Sequence, residues 1–154
     1  MADPLSIAAS VAGLLAISSK VIFGLNTFAS AISHTPKSLQ RVVAEVVAVN
    51  RILGEVQRLI AWQSDAERPN NPSLDLVQLD QLVTTLTGCV LVFSELEKHM
   101  DDLVGMESGV SGSKPRIVWE RMLWTRKEDD IEKLMDDLHR HKTSLSLMLN
   151  IIQW

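Results

Sequence analysis

The chain has 154 residues, a formal net charge of −4 and one cysteine, and 46% of its residues are hydrophobic. This length predicts a single domain that can bury a core without disulfides or metal ions. Because Cys89 has no second cysteine in the chain to pair with, we expect a reducing, cytoplasmic location. The charges form no basic stripe, which argues against nucleic acid as a partner.

The first predicted helix covers residues 4–32 and starts at Asp3-Pro4, where a capping side chain precedes a proline. From Pro4 to Ser19 it contains no charged residue, and Lys20 then interrupts the run. These sixteen residues are fewer than the roughly 20 that a membrane span needs. Residues 11–17 resemble the apolar region of a secretory signal peptide, but the basic residues that should precede them are missing.

On a helical wheel, the first helix has one broad apolar face and an opposite face of small residues. An ordinary surface helix carries charges on the second face. Here that face holds Ala9, Ala12, Gly13, Ala16 and Lys20. Two interpretations stay open: a central bundle helix surrounded on all sides, or a membrane-active segment. On the second interpretation, the predicted membrane-interacting residues are Leu5, Ile7, Val11, Leu14, Leu15, Ile17, Lys20, Val21, Ile22 and Leu25.

Four further helices are predicted downstream, with two segments of turn-forming residues between them. The helices cover residues 36–63, 72–104, 116–124 and 126–153, and the loops cover 64–71 and 105–115. Thr125 and Glu128 have the spacing of a capping box, which would start the fifth helix just after Trp124. The predicted fold is therefore all-α: one domain over residues 1–154, an antiparallel bundle of four long helices plus one short helix.

Steps of three and four residues mark the predicted buried seam of the longer helices. In the second helix, the seam is Leu39, Val42, Val46, Val49, Leu53, Val56 and Ile60. In the third, it is Leu82, Leu86, Cys89, Phe93, Leu96, Met100 and Leu103, widened by Leu79, Val83 and Val90. In the last, it is Ile131, Leu134, Leu138, His141, Leu145, Met148 and Ile152. Cys89 is therefore expected to fill the core rather than to react.

No set of residues in the sequence has the spacing of an active site. His139 and His141 lie about 200° apart on a helix, so they cannot share one metal ion. The segment GVSGSKP lacks the order of residues that a phosphate-binding loop needs. Trp119 and Trp124 are expected to fix the short helix to the bundle. We therefore expect no enzyme activity, no cofactor, no metal ion and no small-molecule substrate.

Two parts of the chain carry a resemblance to a known family. The first is the opening MADPLSIAASVAGLLAIS, with its Asp3-Pro4-Leu5-Ser6, followed by TPKSLQRVVAEVVAVNRIL. The second is WTRKEDDIEKLMDDLHRHKTSLSLML, in which the motif residues are Trp124, Ile131, Leu134, Leu138, His141, Lys142, Ser144 and Leu145. In this order, and over nearly the whole chain, they resemble the fungal N-terminal domain of STAND (NOD-like receptor) proteins, of the HeLo-like class.

The resemblance implies a helical bundle related to the membrane-acting domains of fungal incompatibility proteins. It implies a non-enzymatic effector or signalling domain that induces cell death or disrupts membranes through its N-terminal helix. The partners it implies are membrane lipids and copies of this domain or related domains, with recruitment from the cytoplasm to the plasma membrane on activation. Such domains usually precede a nucleotide-binding oligomerisation region. The chain stops at Trp154 in helical register, which fits either the N-terminal part of a longer protein or a short standalone member.

A soluble interaction or oligomerisation module is the competing interpretation. It predicts a first helix that stays in the core, so that deletion of residues 1–22 unfolds the domain. The predicted contact surface is then the acidic third helix, because residues 73–107 carry seven carboxylates and one lysine, Lys98.

The seam of the last helix gives a test of the fold. Leu138→Asp should lower the free energy of unfolding by about 3 kcal/mol or more, because it places an unpaired charge in the core. Asp137→Ala, one residue earlier and on the predicted outside, should leave stability nearly unchanged. Denaturant unfolding followed by circular dichroism measures both, and substantial strand content in the wild-type spectrum would contradict the all-α prediction.

Overall fold

A computed structural model describes residues 4–32, 35–63, 79–107 and 116–153. These residues form four helices and no strand, which confirms the all-α class. The helices are α1 (Pro4–Ala31), α2 (Lys37–Gln63), α3 (Leu79–Glu107) and α4 (Arg116–Gln153). The loop predicted at 64–71, the helical residues predicted at 72–78 and most of the loop predicted at 105–115 lie outside the described residues.

The last two predicted helices are one continuous helix, α4, so the separate short helix is not found. A capping box needs a non-helical residue at its first position, and Thr125 is helical. No glycine or proline interrupts residues 116–153. Trp124 and Ile131 are both buried, and their spacing of seven residues places them on one face of an unbroken helix. Burial along this face therefore outweighs the local capping signal.

Apart from the break after Trp124 and the start predicted at residue 72, which lies outside the described residues, the predicted helix boundaries agree with the structure to within three residues. α1 starts at Pro4, as predicted. α2 starts at Lys37, one residue after the predicted position. The Thr35 hydroxyl, two residues before α2, donates to the carbonyl oxygen of Ala29 near the end of α1 at 3.4 Å. α3 continues to Glu107, beyond the predicted residue 104, so Gly105, at which the loop was predicted to begin, does not end the helix.

The four helices form a square in which α1 and α4 lie across a diagonal. Consecutive helices α1/α2 and α3/α4 run antiparallel. The other two neighbouring pairs, α1/α3 and α2/α4, run parallel: Lys20 of α1 pairs with Glu97 of α3, and a Cβ built on Gly24 would lie 3.7 Å from Met100. The expected antiparallel arrangement therefore holds for half of the neighbouring pairs. The reason is that α2 and α3, although consecutive in the chain, lie at opposite corners of the square.

The predicted seams form the core. Every residue of the α3 seam from Leu82 to Leu103 is buried, as are the α2 seam residues from Leu39 to Val56. Val83, expected to widen the α3 seam, is instead 37% exposed. The helical wheel missed Met135 and Leu123, which are both buried because α4 contacts two helices and buries a wider face than its seam. Ile60, Val90, Leu134 and Met148 are half-buried against this core.

Trp124 fixes the start of α4 to α1 and α2, as expected. Its side chain is 1% exposed, and its indole Nε1 donates to the Ser38 hydroxyl at 3.0 Å. The ring lies 6.0 Å from that of Phe28 between centroids, at a tilt of 37°. Both ends of the tryptophan are therefore satisfied, the apolar ring by burial and the N–H by a hydrogen bond. The side chain of Trp119 lies outside the described ones.

α3 and α4 pack closely where His141 lies over Gly88. A Cβ built on Gly88 would lie 2.3 Å from His141 Cε1 and 2.6 Å from Nε2, well inside van der Waals contact. A larger residue at position 88 would therefore force the His141 imidazole to move. Gly54 of α2 is different, because a Cβ there meets nothing within 4 Å.

Alanine at the two glycines should therefore change stability in opposite directions. Gly88→Ala should lower the free energy of unfolding by about 1–3 kcal/mol, because the imidazole must move. Gly54→Ala should raise it by about 0.5–1 kcal/mol, because alanine is the better helix former and has room. In a His141→Ala background, Gly88→Ala should lose its penalty. Chemical denaturation of the four variants measures this cycle, and equal effects at both glycines would contradict the close packing.

Candidate functional site

The apolar face of α1 lies in the core. Ile7, Val11, Leu14, Val21 and Leu25 are at most 2% exposed. Among the other predicted membrane-interacting residues, the half-buried ones are Leu15, Ile17 and Ile22. Lys20 is exposed, and the side chain of Leu5 lies outside the described ones. In the closed bundle, the predicted membrane-interacting residues are thus mostly held against protein.

The opposite face of α1 lies in solvent. Ala9, Ala12, Gly13 and Ala16 are all exposed, so the interpretation as a helix surrounded on all sides is wrong. Of the twelve exposed residues of α1, one is charged, Lys20. By comparison, seven of the fourteen exposed residues of α4 within 123–153 carry a charged Asp, Glu, Lys or Arg side chain. The outward face of α1 is therefore unusually poor in charge for a helix in contact with water.

Phe23 is the most exposed large hydrophobic side chain among the described residues, at 75%. It was absent from the predicted membrane-interacting set, which followed the opposite, apolar face. The helical wheel contains the signal that could have found it, because Phe23 lies about 20° from Ala12 and from Ala16 around the helix. We call Ala9, Ala12, Gly13, Ala16, Ser19 and Phe23 the outward α1 face.

Lys20 lies at the edge of this face on the side of α3. Its ammonium forms an ion pair and hydrogen bond with the Glu97 carboxylate. The Lys20 side chain is 67% exposed and that of Glu97 is 29% exposed. The hydrogen bond and charge of Glu97, with a smaller effect of Asp101, raise the pKa of Lys20. The single charge of α1 is therefore neutralised by α3 in the closed bundle.

Four of the seven uncharged polar side chains of α1 donate to carbonyl oxygens of the helix itself. Ser10 donates to the Ser6 carbonyl oxygen at 3.0 Å, and Ser18 donates to that of Leu15 at 3.1 Å. Thr27 and Ser30 donate to α1 carbonyl oxygens at 2.8 Å each. The fully buried Ser18 hydroxyl also accepts a hydrogen bond of 2.6 Å from Asn50 Nδ2 of α2. Hydroxyl groups bonded in this way need no water.

α1 is also long and apolar enough to cross a membrane. The window Ser6–Ser30 has 25 residues, which span about 37 Å as a helix, against roughly 30 Å for a bilayer core. Only 28% of its most apolar part is buried within the bundle. Length and composition alone do not separate a membrane helix from the core helix of a soluble protein. The outward α1 face is the further observation that favours a membrane helix.

The motif residues of α4 have structural roles where they are described. Trp124, Ile131, Leu138 and Leu145 are buried, while Leu134 and His141 are half-buried. Among the other motif residues, Pro4 starts α1, Ser144 is half-buried, and Asp3 lies outside the described residues.

The remaining motif residue, Lys142, joins α4 to α2. Its ammonium donates to Glu45 Oε2 at 2.8 Å, and His139 Nδ1 lies 3.5 Å from Glu45 Oε1. Partial burial raises the pKa of Glu45, but the hydrogen bond and charge of Lys142, together with His139, outweigh it and hold the pKa below its ordinary value. The α2–α4 contact thus has its own ion pair, independent of α1.

A groove of about 540 Å³ lies between the start of α3 and the end of α4. Leu147 and Ile151 line it and are 59% and 45% exposed. Asp80 is the one ionisable residue in its lining. The described residues contain no group of three or more His, Cys, Asp or Glu side chains that could hold a metal ion. The groove therefore offers an apolar contact surface, with no cluster of titratable groups.

Comparisons of the chain with protein-family models, with curated proteins and with solved structures found no match.

Cys89 should be inert in the folded protein. It is 0% exposed, and burial raises its pKa to about 12, so almost none of it is thiolate at pH 8. We expect a thiol reagent such as 5,5′-dithiobis(2-nitrobenzoate) to label native protein at least a hundredfold more slowly than a free thiol. After unfolding in guanidinium chloride, one thiol per chain should react at the ordinary rate. Rapid labelling of native protein would contradict the placement of Cys89 in the core.

Proposed function

We propose that this domain is a non-enzymatic effector module of the HeLo-like class, in which α1 leaves the bundle and enters a membrane. The resemblance to the fungal N-terminal domain of STAND proteins suggested this function, and its setting would be cell-death signalling in a NOD-like receptor pathway. The observation that carries the proposal is the outward α1 face. It lies in water in the closed bundle, yet Lys20 is the one charged residue among the twelve exposed residues of α1.

A helix that carries a single charge can exist in two environments. Its core face packs against α2 and α3 in the bundle and can pack against lipid tails in a bilayer, because both environments are apolar. Its small residues, at the spacing Ala9-x-x-x-Gly13 and Ala12-x-x-x-Ala16, allow the backbones of two such helices to approach closely. This spacing supports self-association of α1 in the membrane as the step that disrupts it.

The internal hydrogen bonds of α1 support the same proposal. A hydroxyl that already donates to a carbonyl of its own helix leaves no unpaired donor when water is removed. Ser10, Ser18, Thr27 and Ser30 all do so. Transfer of α1 into lipid therefore requires dehydration of one charge, that of Lys20, and of the side chains of Ser6, Ser19 and Asn26.

The proposal is tested with dye-filled vesicles that contain anionic lipid. Wild-type protein should bind them in a flotation assay and release the dye, if necessary after forced oligomerisation through a fused tag. Phe23→Asp should reduce release at least tenfold, because an aspartate within a membrane helix costs up to about 2.5–3.5 kcal/mol. Since Phe23 is exposed in the bundle, this variant should fold like the wild type.

Leu91→Asp is the matched control. Leu91 is also a large, exposed hydrophobic residue, at 65%, but it lies on α3. The proposal expects its variant to release dye like the wild type. Equal loss in both variants would point to general surface hydrophobicity instead. Leu14→Asp is unsuitable for this purpose, because Leu14 is 1% exposed and its variant would test folding.

A soluble interaction module is the second candidate, and the groove between α3 and α4 favours it. In that case α1 stays in the core, and Leu147 and Ile151 contact a protein partner. Wild-type protein that neither binds nor permeabilises vesicles, even when forced to oligomerise, would rule out the membrane function in favour of this module.

A further inference from the structure

We infer that Lys20 exchanges one anion for another: it binds the Glu97 carboxylate in the closed bundle and an anionic lipid headgroup when α1 meets a membrane. This inference rests on the proposed function and specifies how α1 is held and what attracts it to the membrane. It concerns one residue, because Lys20 is the single charged residue of α1 between Pro4 and Ala31.

We call the Lys20–Glu97 ion pair the latch, because its position lets it hold α1 in the closed bundle. Lys20 and Gly24 face α3 from adjacent turns of α1, where they meet Glu97 and Met100. The Gly24–Met100 contact is apolar and can be replaced by lipid. The Lys20–Glu97 pair has no equivalent in a bilayer core, so it must break before α1 leaves. It therefore specifically favours the closed bundle.

The exposure of the pair makes exchange possible without unfolding. The Lys20 side chain is 67% exposed, so a second anion can approach its ammonium while Glu97 is still bound. A headgroup phosphate carries the same kind of acceptor oxygens as a carboxylate, and a lysine near an anionic membrane surface is stabilised by it. Asp101, which also acts on Lys20, strengthens the hold of α3 on the ammonium. Glu97 is the direct partner.

The pair also differs from the other ion pairs between helices. Lys127–Asp102 joins α3 to α4 with an N–O distance of 3.2 Å, and Lys142–Glu45 joins α2 to α4. Neither involves α1, so both remain when α1 leaves. Among the ion pairs of the described residues, Lys20–Glu97 is thus the one whose loss accompanies release of α1.

The decisive variants are Glu97→Gln and Asp102→Asn. Both lie on α3, both remove one negative charge and both break an ion pair between helices. Glu97→Gln should lower the protein concentration for half-maximal release from phosphatidylserine-containing vesicles about two- to fivefold, the range expected for one exposed ion pair. Asp102→Asn should leave it unchanged. Equal gains in the two variants, or no gain in Glu97→Gln, would overturn the inference.

Contact between Lys20 and headgroups is tested by adding Lys20→Gln to Glu97→Gln. On anionic vesicles the double variant should need more protein than Glu97→Gln alone, by about two- to fivefold. On pure phosphatidylcholine vesicles the two should behave alike. A double variant as active as Glu97→Gln on anionic vesicles would show that Lys20 contacts no headgroup. Inorganic phosphate, compared with chloride at equal ionic strength, should not release α1 by itself.

Hydrogen exchange separates this inference from the proposed function, because it needs no membrane. In the 154-residue protein, Glu97→Gln should speed amide exchange in α1 about two- to fivefold and leave α2 and α4 unchanged. If α1 exchanges faster but no protein, wild type included, permeabilises vesicles, the proposed function is wrong and the headgroup exchange falls with it. If wild type permeabilises vesicles and Glu97→Gln alters neither measurement, the function stands and the latch does not exist.

Discussion

The bundle depends on the burial of one face of α1 between α2 and α3. Val11 and Leu25 are completely buried there, and Phe28 reaches the Trp124 ring at the start of α4. The contact with α3 also sets the arrangement of the helices, because it places α3 beside α1 and leaves α1 and α4 across a diagonal. A helix used so fully on one side would ordinarily carry charges on the other, to keep the domain soluble. α1 has only Lys20 there, so the other helices carry most of the charge on the described surface.

The contacts among the other three helices do not require α1. α4 packs against both α2 and α3, with Glu45–Lys142 on one side and Asp102–Lys127 on the other. The close crossing of Gly88 and His141 lies in the α3–α4 interface as well. These contacts make α4 the helix that holds the remaining bundle together. Departure of α1 would expose apolar side chains of α2 and α3. These side chains could then be buried against lipid or against other copies of the protein.

Periodicity in the sequence was enough to predict the helices and their buried faces, because a core face repeats every three to four residues whatever it packs against. It was not enough to predict partners. The neighbour of a helix depends on how the chain turns between elements, so neither the parallel α1/α3 contact nor the pairing of Lys20 with Glu97 could be read from the two segments alone. The helix break predicted at Thr125 was wrong, because burial over several turns outweighs a capping signal of four residues. Phe23 was missed because the predicted membrane-interacting residues came from the apolar face of α1, whereas Phe23 lies on the outward α1 face.

If α1 enters a membrane as proposed, the short connection between α1 and α2 limits how the protein can sit on that membrane. Residues 32–36 span at most about 17 Å when fully extended. A released α1 therefore stays attached near the start of α2, and its last residues cannot move far from Ser38 and Trp124. Of the two ends of the bundle, the one that contains Trp124 must then be nearest the bilayer, with the groove between α3 and α4 at the far end. Lys37 is exposed at the near end, so the tether brings a positive charge towards the headgroups.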